Sequence, residues 1–486
     1  MDKNPLIRKG LALGIILLFV GTAIIPSTAQ NTNKPSLPTS SGKWLYVGGN
    51  GPGNYSTIQA ALDDANYEDT IYVYSGIYYE KIELRNISSL TLIGENMWNT
   101  IIDGKGKGST VIIYTSGNIF SNFTVQHAGP IWPSNSGIYI YGSNNVITHN
   151  RIVLNPGCGI TCASSQTITE NLIYDNEIGI VPTSVNNNIS HNQIYHNNIG
   201  INLWECFCDN RHPNTIRWNN ISNNSIGINF DVWRNTNNII SDNIIFKNNQ
   251  GIMTSEIAGS GIITIGNKIF NNTIFNNKEN GIFLKAGSNS LLNRIEDNKI
   301  FSNGGNGIVF QKESSLNADI SLNRIQGNQI YSNRGNGILF IYARLNTISG
   351  NNITSNDGSG IVVQNSILTS IYKNTISNNN DVGIYLIYST QNTIKKNNFF
   401  NNSKNTYFYF RNLYYSKPSA LQIRLILIKS GNKWSGNFWD EPQINPYKIE
   451  GYLGDWYYGP DGGYGGKVMG YYIDRYPAQE PYNIPG

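Results

Sequence analysis

His149, Glu170 and His191 are the residues of this chain whose types and spacing first suggest chemistry. The steps from 149 to 170 and from 170 to 191 are both 21 residues. Each of the three immediately precedes an Asn in a recurring Ile-x-x-Asn-x-Ile phrase, so they occupy one register position. If that register is structural, two imidazoles flank a carboxylate, a set of donors that would suit a divalent metal held from one side. The same column continues as Trp218, Asp242, Asn271 and Asp297. It places no two carboxylates on adjacent units, as glycoside hydrolysis would need.

A second set of candidates is aromatic. Tyr139, Phe283 and Tyr385 fall in one slot after a Gly-Ile pair, and Tyr141 and Trp204 lie two residues further along in the register. Rings on an open sheet face suit stacking against sugars. A third set is the four cysteines, Cys158, Cys162, Cys206 and Cys208. Cys162 takes an inward slot filled elsewhere by Ile140, Leu203 and Phe230. Cys158 and Cys162 cannot bridge each other along an extended strand. The insertion from Leu203 to Pro213 is long enough to fold back, so a disulfide from Cys206 or Cys208 to Cys158 or Cys162 is expected, with free thiols or a Cys-based copper site as alternatives. Met97, Met253 and Met469 make no thioether cluster.

The elements that must position these residues are written in asparagine. The chain has 74 Asn among 486 residues, about 15%. A leading Asn falls at 150, 171, 192, 219, 243, 272, 298, 328, 351, 374 and 397. Ile stands three before every one of them, Ile or Phe399 two after, a second Asn five after, and Gly-Ile eight or nine after in all but the last unit. The runs between are too short for helices and rich in Ile, so they read as short strands with sharp corners. Periods of 21 to 30 residues predict a coil of a parallel β-helix. Asn is expected at the corners for two reasons: tolerance of the left-handed conformation, and an amide that can bond up and down a ladder. Gly is expected at the third corner for its backbone freedom. The fold class is therefore all-β, a single solenoid of about fifteen coils; at a stacking distance of about 4.8 Å, eleven of them span roughly 50 Å.

Both ends of such a stack need covering. Residues 56–65, STIQAALDDA, predict an N-terminal helix with a Ser56/Gln59 capping box and Ile58, Ala61, Leu62 and Ala65 on its buried face. The domain reading is 1–29 signal peptide, 30–43 linker, 44–130 N-terminal cap and first coils, 131–405 repeats, and 406–486 an aromatic C-terminal cap. Lys3, Arg8 and Lys9 precede an apolar run from Leu11 to Ile25, followed by Ser27-Thr28-Ala29. Cleavage there would give a secreted chain starting at Gln30; left uncleaved, the segment would be the one membrane anchor. The formal charge of +4 carries no basic footprint for nucleic acid.

The opening VGGNGPGNYSTIQAALDDANYEDTIYVYSGIYYEKI (47–82) and IIDG (101–104) resemble pectin-lyase-like right-handed β-helix proteins. The Asn-x-Ile…Gly-Ile units resemble the NosD-like, periplasmic copper-binding family, and the ending KWSGNFWDEP…YYIDRYPAQEPYNIPG resembles the C-terminal module of secreted archaeal members. GIYYEK (76–81) is similar to an early pectinesterase stretch, but the later catalytic motifs of that family are missing. The paired aspartates of polygalacturonases and the Asp–Arg cluster of pectate lyases are missing too. The resemblance implies a secreted or cell-surface scaffold that binds polysaccharide, a surface glycan or a protein without catalysis. Two alternatives are implied: a polysaccharide lyase or hydrolase with an unrecognised site, and a copper-handling protein.

Overall fold

The computed structural model describes residues 42–131, 135–204, 212–231, 234–254, 263–286, 289–312, 318–414, 417–443, 445–457 and 464–484. Three long sheets carry the unit Gly42–Gly486. The first runs from Trp44–Val47 to Lys433–Ser435 in 16 strands, the second from Gly76–Tyr78 to Phe438–Trp439 in 15, and the third from Ile82–Leu84 to Tyr464–Asp474 in 16. Each chain turn contributes one strand to each sheet, and neighbours pair in parallel, which is a parallel β-helix. The last pair, Tyr447–Tyr457 with Tyr464–Asp474, is antiparallel.

The Ile columns stack in register. Ile147 pairs with Ile168, Ile189 and Ile216 on successive coils of the first sheet. Ile152, Ile173 and Ile194 do the same on the second, and Ile160, Ile180, Ile201 and Ile228 on the third. All are fully buried in one continuous core. Each burial contributes about 1.5–3 kcal/mol, so the repeat is stabilised chiefly by its Ile columns.

The corners correct the expectation about Asn. The leading Asn residues do not adopt the left-handed conformation; the residue before each one does, as at His149 (φ 57°), Glu170 (φ 58°) and His191 (φ 58°). The Asn side chain instead turns inward and is buried. Its Oδ1 accepts from both the backbone N–H and the Nδ2 of the Asn one coil earlier, at 3.0 and 3.1 Å from Asn150 to Asn171. Its own Nδ2 passes the bond on, 3.0 Å from Asn171 to Asn192. The Asn five residues later forms a parallel ladder, from Asn155 to Asn402. A third ladder, not anticipated, runs five residues before the leading Asn: Asn118, Asn145, Gln166, Asn187, Asn214, and on from Asn238 to Asn346. Gln166 and Thr369 interrupt it, and there Asn145 Nδ2 and Thr369 Oγ1 lack partners among the described residues.

The expectation about Gly also changes. Gly179 and Gly337 have no left-handed backbone; they sit inside or beside strands where a Cβ would meet the next coil. At Gly337 it would lie 2.5 Å from Ile353 Cγ2 and 2.6 Å from the Gly360 carbonyl. Close approach to the neighbouring coil, rather than φ, requires glycine there.

A short fourth sheet of Arg234–Thr236, Ile263–Ile265, Asn289–Leu291 and Asp319–Ser321 adds an extra side to the middle coils. At the N-terminal end, helix α1 (Ile58–Asp64) buries Ile58, Ala61 and Leu62 as expected. Its cap differs. Thr57 is the N-cap, and the Glu80 carboxylate accepts from the N–H groups of Ile58 (2.9 Å) and Gln59 (3.1 Å), replacing the predicted Ser56/Gln59 box. At the other end helix α2 (Ala420–Ser430) lies in the stretch that the sequence marks only as an aromatic cap. A Ser419/Gln422 capping box and a left-handed Gly431 set it as helix.

Candidate functional site

The left-handed residue before each ladder Asn points its side chain away from the core. Three outward ribs result, one per corner, and their residue types are free to vary because the ladder beneath carries the packing. The predicted trio lies on one rib, as the register required. The structure brings together two of its members. His149 Nε2 is 2.7 Å from Glu170 Oε2, and His149 Nδ1 is 2.8 Å from Thr148 Oγ1. His191 instead lies against the Trp218 ring, 5.0 Å between centroids, with the Arg217 guanidinium 4.4 Å above that indole. The structure thus pairs His149 with Glu170 and sets His191 against Trp218, rather than gathering the three side chains around one point. Among the described residues no group of three or more His, Cys, Asp or Glu is placed to hold a metal ion.

Cys162 fills its inward slot as expected, between Ile140 and Pro182 in the third sheet. Burial pushes its thiol up to about 12. That keeps it protonated where it stands in the core. Cys158 is buried with Ile178 and Val181, against which Trp204 and Ile199 pack. Cys206 and Cys208 lie outside the described residues.

The predicted aromatic column does not form one platform. Between Tyr139 and Tyr385 the outward slot holds Thr161, Val181, Asn202, Asn229, Met253, Phe283, Val309, Leu339 and Val362. Trp204 is taken up by the packing over Cys158, and Phe283 stands between Met253 and Val309 without an aromatic neighbour in its column. Two clusters remain at opposite ends. Tyr385 sits near Tyr407, 5.7 Å between centroids, with Lys404 Nζ 4.3 Å over Tyr407. Tyr141 stacks on Tyr114 at 5.0 Å, the planes 1° apart, and on Tyr139 at 4.5 Å. The Arg85 guanidinium lies 4.5 Å over Tyr114 and pairs with Glu83. Burial, then the neighbouring Tyr141, pushes the Tyr139 phenol up to about 12, so it stays a neutral donor and acceptor. Tyr141 is 54% exposed.

Sequence reasoning missed a longer row of rings on the second sheet. Phe246, Phe275, Phe301 and Tyr331 stack coil on coil at 5.2, 5.0 and 4.9 Å, within 6° of parallel. The signal was available, since each stands three after a leading Asn. Their faces are spent on one another and only edges meet solvent, so this row serves packing more than sugar recognition.

It also missed a pair in the first coils. Asp103 Oδ2 is 2.8 Å from His127 Nδ1 and accepts from Gln126 Nε2 at 2.9 Å, while Oδ1 accepts from the Lys105 N–H at 2.9 Å. Burial raises the Asp103 carboxyl, but these donors outweigh it and hold the carboxyl below its usual range. An ionised, hydrogen-bonded Asp thus orients an exposed imidazole, an arrangement that suits a general base. No repeat signal marks it, because the Asn register starts later.

A family model described as periplasmic copper-binding protein (NosD) matches residues 167–323 and 293–444, more than half of the chain. One described as right handed beta helix region matches residues 81–207. No curated protein matches the sequence. Among solved structures, an A-module of mannuronan C-5 epimerase from Azotobacter vinelandii is similar at 14% identity and a TM-score of 0.38, over 72% of this chain and 92% of that one. The receptor binding domain of the siphovirus 9NA tailspike is similar at 11% and 0.43, over 75% of each chain. The catalytic unit of a GH87 alpha-1,3-glucanase from Streptomyces thermodiastaticus is similar at 14% and 0.35, over 76% of this chain and 62% of that one.

Proposed function

The chain belongs to the family described as periplasmic copper-binding protein (NosD), and within it we propose an exported right-handed β-helix scaffold that binds carbohydrate without catalysis. The observation that carries this reading is the stacked set Tyr114, Tyr141 and Tyr139 on the third sheet. Their faces are largely taken by one another and by Arg85, so what they offer a sugar is exposed ring edges and hydroxyls, which the phenylalanines of the second-sheet row lack, with Tyr141 the most open. Arg85 and Glu83 at one end, and the neutral Tyr139 hydroxyl, supply donors and acceptors for the sugar's substituents. The partner is a polysaccharide or a cell-surface glycan. A glycan array with the mature protein, followed by calorimetry on the best ligand, tests the reading. Tyr141→Ala and Tyr114→Ala should each weaken binding by about tenfold. Undiminished affinity in both variants sinks the site.

A second reading, catalysis on a bound polymer, is favoured by the Asp103–His127 pair. A reducing-sugar assay on the array hits decides it, with His127→Gln as the control. Copper, which the family description names, finds no fitting donor set among the described residues: the His149 pair lacks a third ligand, and Cys162 is protonated in the core.

A further inference from the structure

Two apolar features meet on one side of the solenoid, and neither is used by the tyrosine site. The first is a rib of leucines. Leu292, Leu322, Leu345 and Leu368 hold the left-handed corner position on four successive coils, with φ of 56°, 58°, 55° and 57°. That conformation favours Asn, Asp or Gly. The same corner elsewhere carries Asn144, Asn237 and Gly266. Here leucine is kept four times although its side chain stays 41–53% exposed. Core packing cannot account for a strained, outward leucine. The second feature is α2. Ile423, Ile426 and Leu427 pack on the core, while Leu421, Leu425 and Ile428, at i, i+4 and i+7, form a stripe 47–66% exposed.

The two are continuous. The rib proceeds from Leu368 to Gln391 and then Gly431, the residue that ends α2, and Gln391 N–H donates to the Ser430 carbonyl at 2.6 Å. Cations flank both. Lys268, Arg294 and Arg324 stand in register beside the rib. A shallow hollow of about 400 Å³ lies between them and Gly266, Leu292 and Leu322. Glu296 reaches Arg324 at 3.7 Å. The segment from Lys417 to Lys433 holds Lys417, Arg424, Lys429 and Lys433 and no acidic residue.

We infer that this side of the molecule is a contact surface for an anionic lipid bilayer. Leucine and isoleucine tips would enter the interface between headgroups, and the basic row would meet the phosphates. A second copy of the chain would set the two basic rows against each other, and an acidic protein would gain nothing from an outward leucine rib without a matching groove. The observations thus fit a yielding, negatively charged, partly apolar medium.

The test is sedimentation of the mature protein, purified as its cell processes it, with vesicles of phosphatidylcholine alone and of phosphatidylcholine with phosphatidylglycerol. Partition is expected onto the phosphatidylglycerol vesicles, weakening as salt rises. Leu421→Gln/Leu425→Gln/Ile428→Gln and, separately, Leu322→Asn/Leu345→Asn should lower it about tenfold or more. Both sets are exposed and suit helix and left-handed backbone respectively, so they should fold, which unchanged circular dichroism and a melting temperature no lower than wild type would verify. Partition unaffected by either set overturns the inference, as does equal binding to phosphatidylcholine alone. Absence of partition also overturns it and leaves an acidic protein as the occupant to seek.

Discussion

The coils from Asn145 to Asn402 and the coils from Trp44 to Gln126 solve one stacking problem with different materials. In the later coils a ladder corner is a left-handed residue followed by a buried amide, except at Pro213 and Thr369, and the amides bond coil to coil. In the early coils, Asn118 apart, the ladder positions are taken by other groups. Phe123 stands where the coil after it has Asn150, and its N–H donates to the Asn150 Oδ1 at 3.0 Å. Thr110, Ser109 and Asp103 supply local bonds. The ladder leaves each coil's interior uniform and confines variety to the ribs. The early coils, free of it, place Asp103 and His127 partly within the wall. Repetition thus stabilises, and its absence makes room for an irregular polar site.

At the far end the ladders must stop, and the C-terminal strands supply the stops. Asp474, fully buried, accepts from the Asn437 N–H (2.9 Å) and Nδ2 (3.1 Å), and Asn432 reaches the Tyr472 hydroxyl at 3.3 Å. Asn405 closes the Asn155–Asn402 ladder, accepting from Asn402 Nδ2 and donating to Asp440.

The largest effect should come from breaking the stack itself. Ile325 is fully buried between Ile295 and Ile348. Ile325→Asp places an unpaired carboxylate there and should cost about 5 kcal/mol or more, read as loss of a cooperative urea transition. Next is the ladder. Asn328→Leu removes the oxygen that accepts from the Asn298 N–H at 2.9 Å and Nδ2 at 3.0 Å; the N–H is orphaned, while Nδ2 keeps the Ile269 and Glu296 carbonyls. One orphaned buried donor at about 1–3 kcal/mol, with the lost bonds of Asn328 Nδ2 to Ile295, Gln326 and Asn351, predicts a loss of about 2–5 kcal/mol. Phe123→Leu, in the equivalent slot of an early coil, should cost about 1–2 kcal/mol. Equal losses in the two variants would erase the contrast between the regions.

The third prediction uses pH. The Asp103 carboxyl is held below its usual range in the folded state, so it binds a proton less readily folded than unfolded. Its contribution to stability is complete above the unfolded value of about 3.9 and is lost as pH falls through the lower folded value. Asp103→Asn should therefore lower the melting temperature most at neutral pH and flatten part of the acid limb, the two profiles converging as pH falls through the folded value. An identical acid limb in wild type and variant would show that the pair does not persist in solution. The smallest effect is at the rib. Leu345→Asn relieves a left-handed leucine that costs about 1–2 kcal/mol, so stability should rise by up to about 1 kcal/mol in thermal unfolding. A loss would show that the leucine packs more than its exposure indicates.

Much of the scaffold was legible because a repeat amplifies weak local signals. Ile at minus three and plus two, and Asn at zero and plus five, recur on the same faces in coil after coil, and their burial follows from that register alone. The third ladder was equally legible at minus five but was obscured by Gln166 and Thr369. The role of Asn was half legible: the ladder follows from an amide that donates and accepts, whereas the left-handed turn falls one residue earlier, which periodicity cannot reveal. Helix α2 was hidden because an Ile/Leu run suits a strand, and the capping box that decides otherwise is a two-residue signal.

The sequence by itself determined the parallel β-helix, its Ile core and the outer column on which His149, Glu170 and His191 fall. Spacing in sequence is distance along the stack when every coil rises by the same step. Only the tertiary structure decided what those outer residues do. His191 turned to Trp218 and left His149 with Glu170, and the predicted row of aromatic rings separated into two end clusters. Register places a Cα; an exposed side chain chooses among neighbours on its own and adjacent coils, through contacts of comparable energy that no period in the sequence encodes.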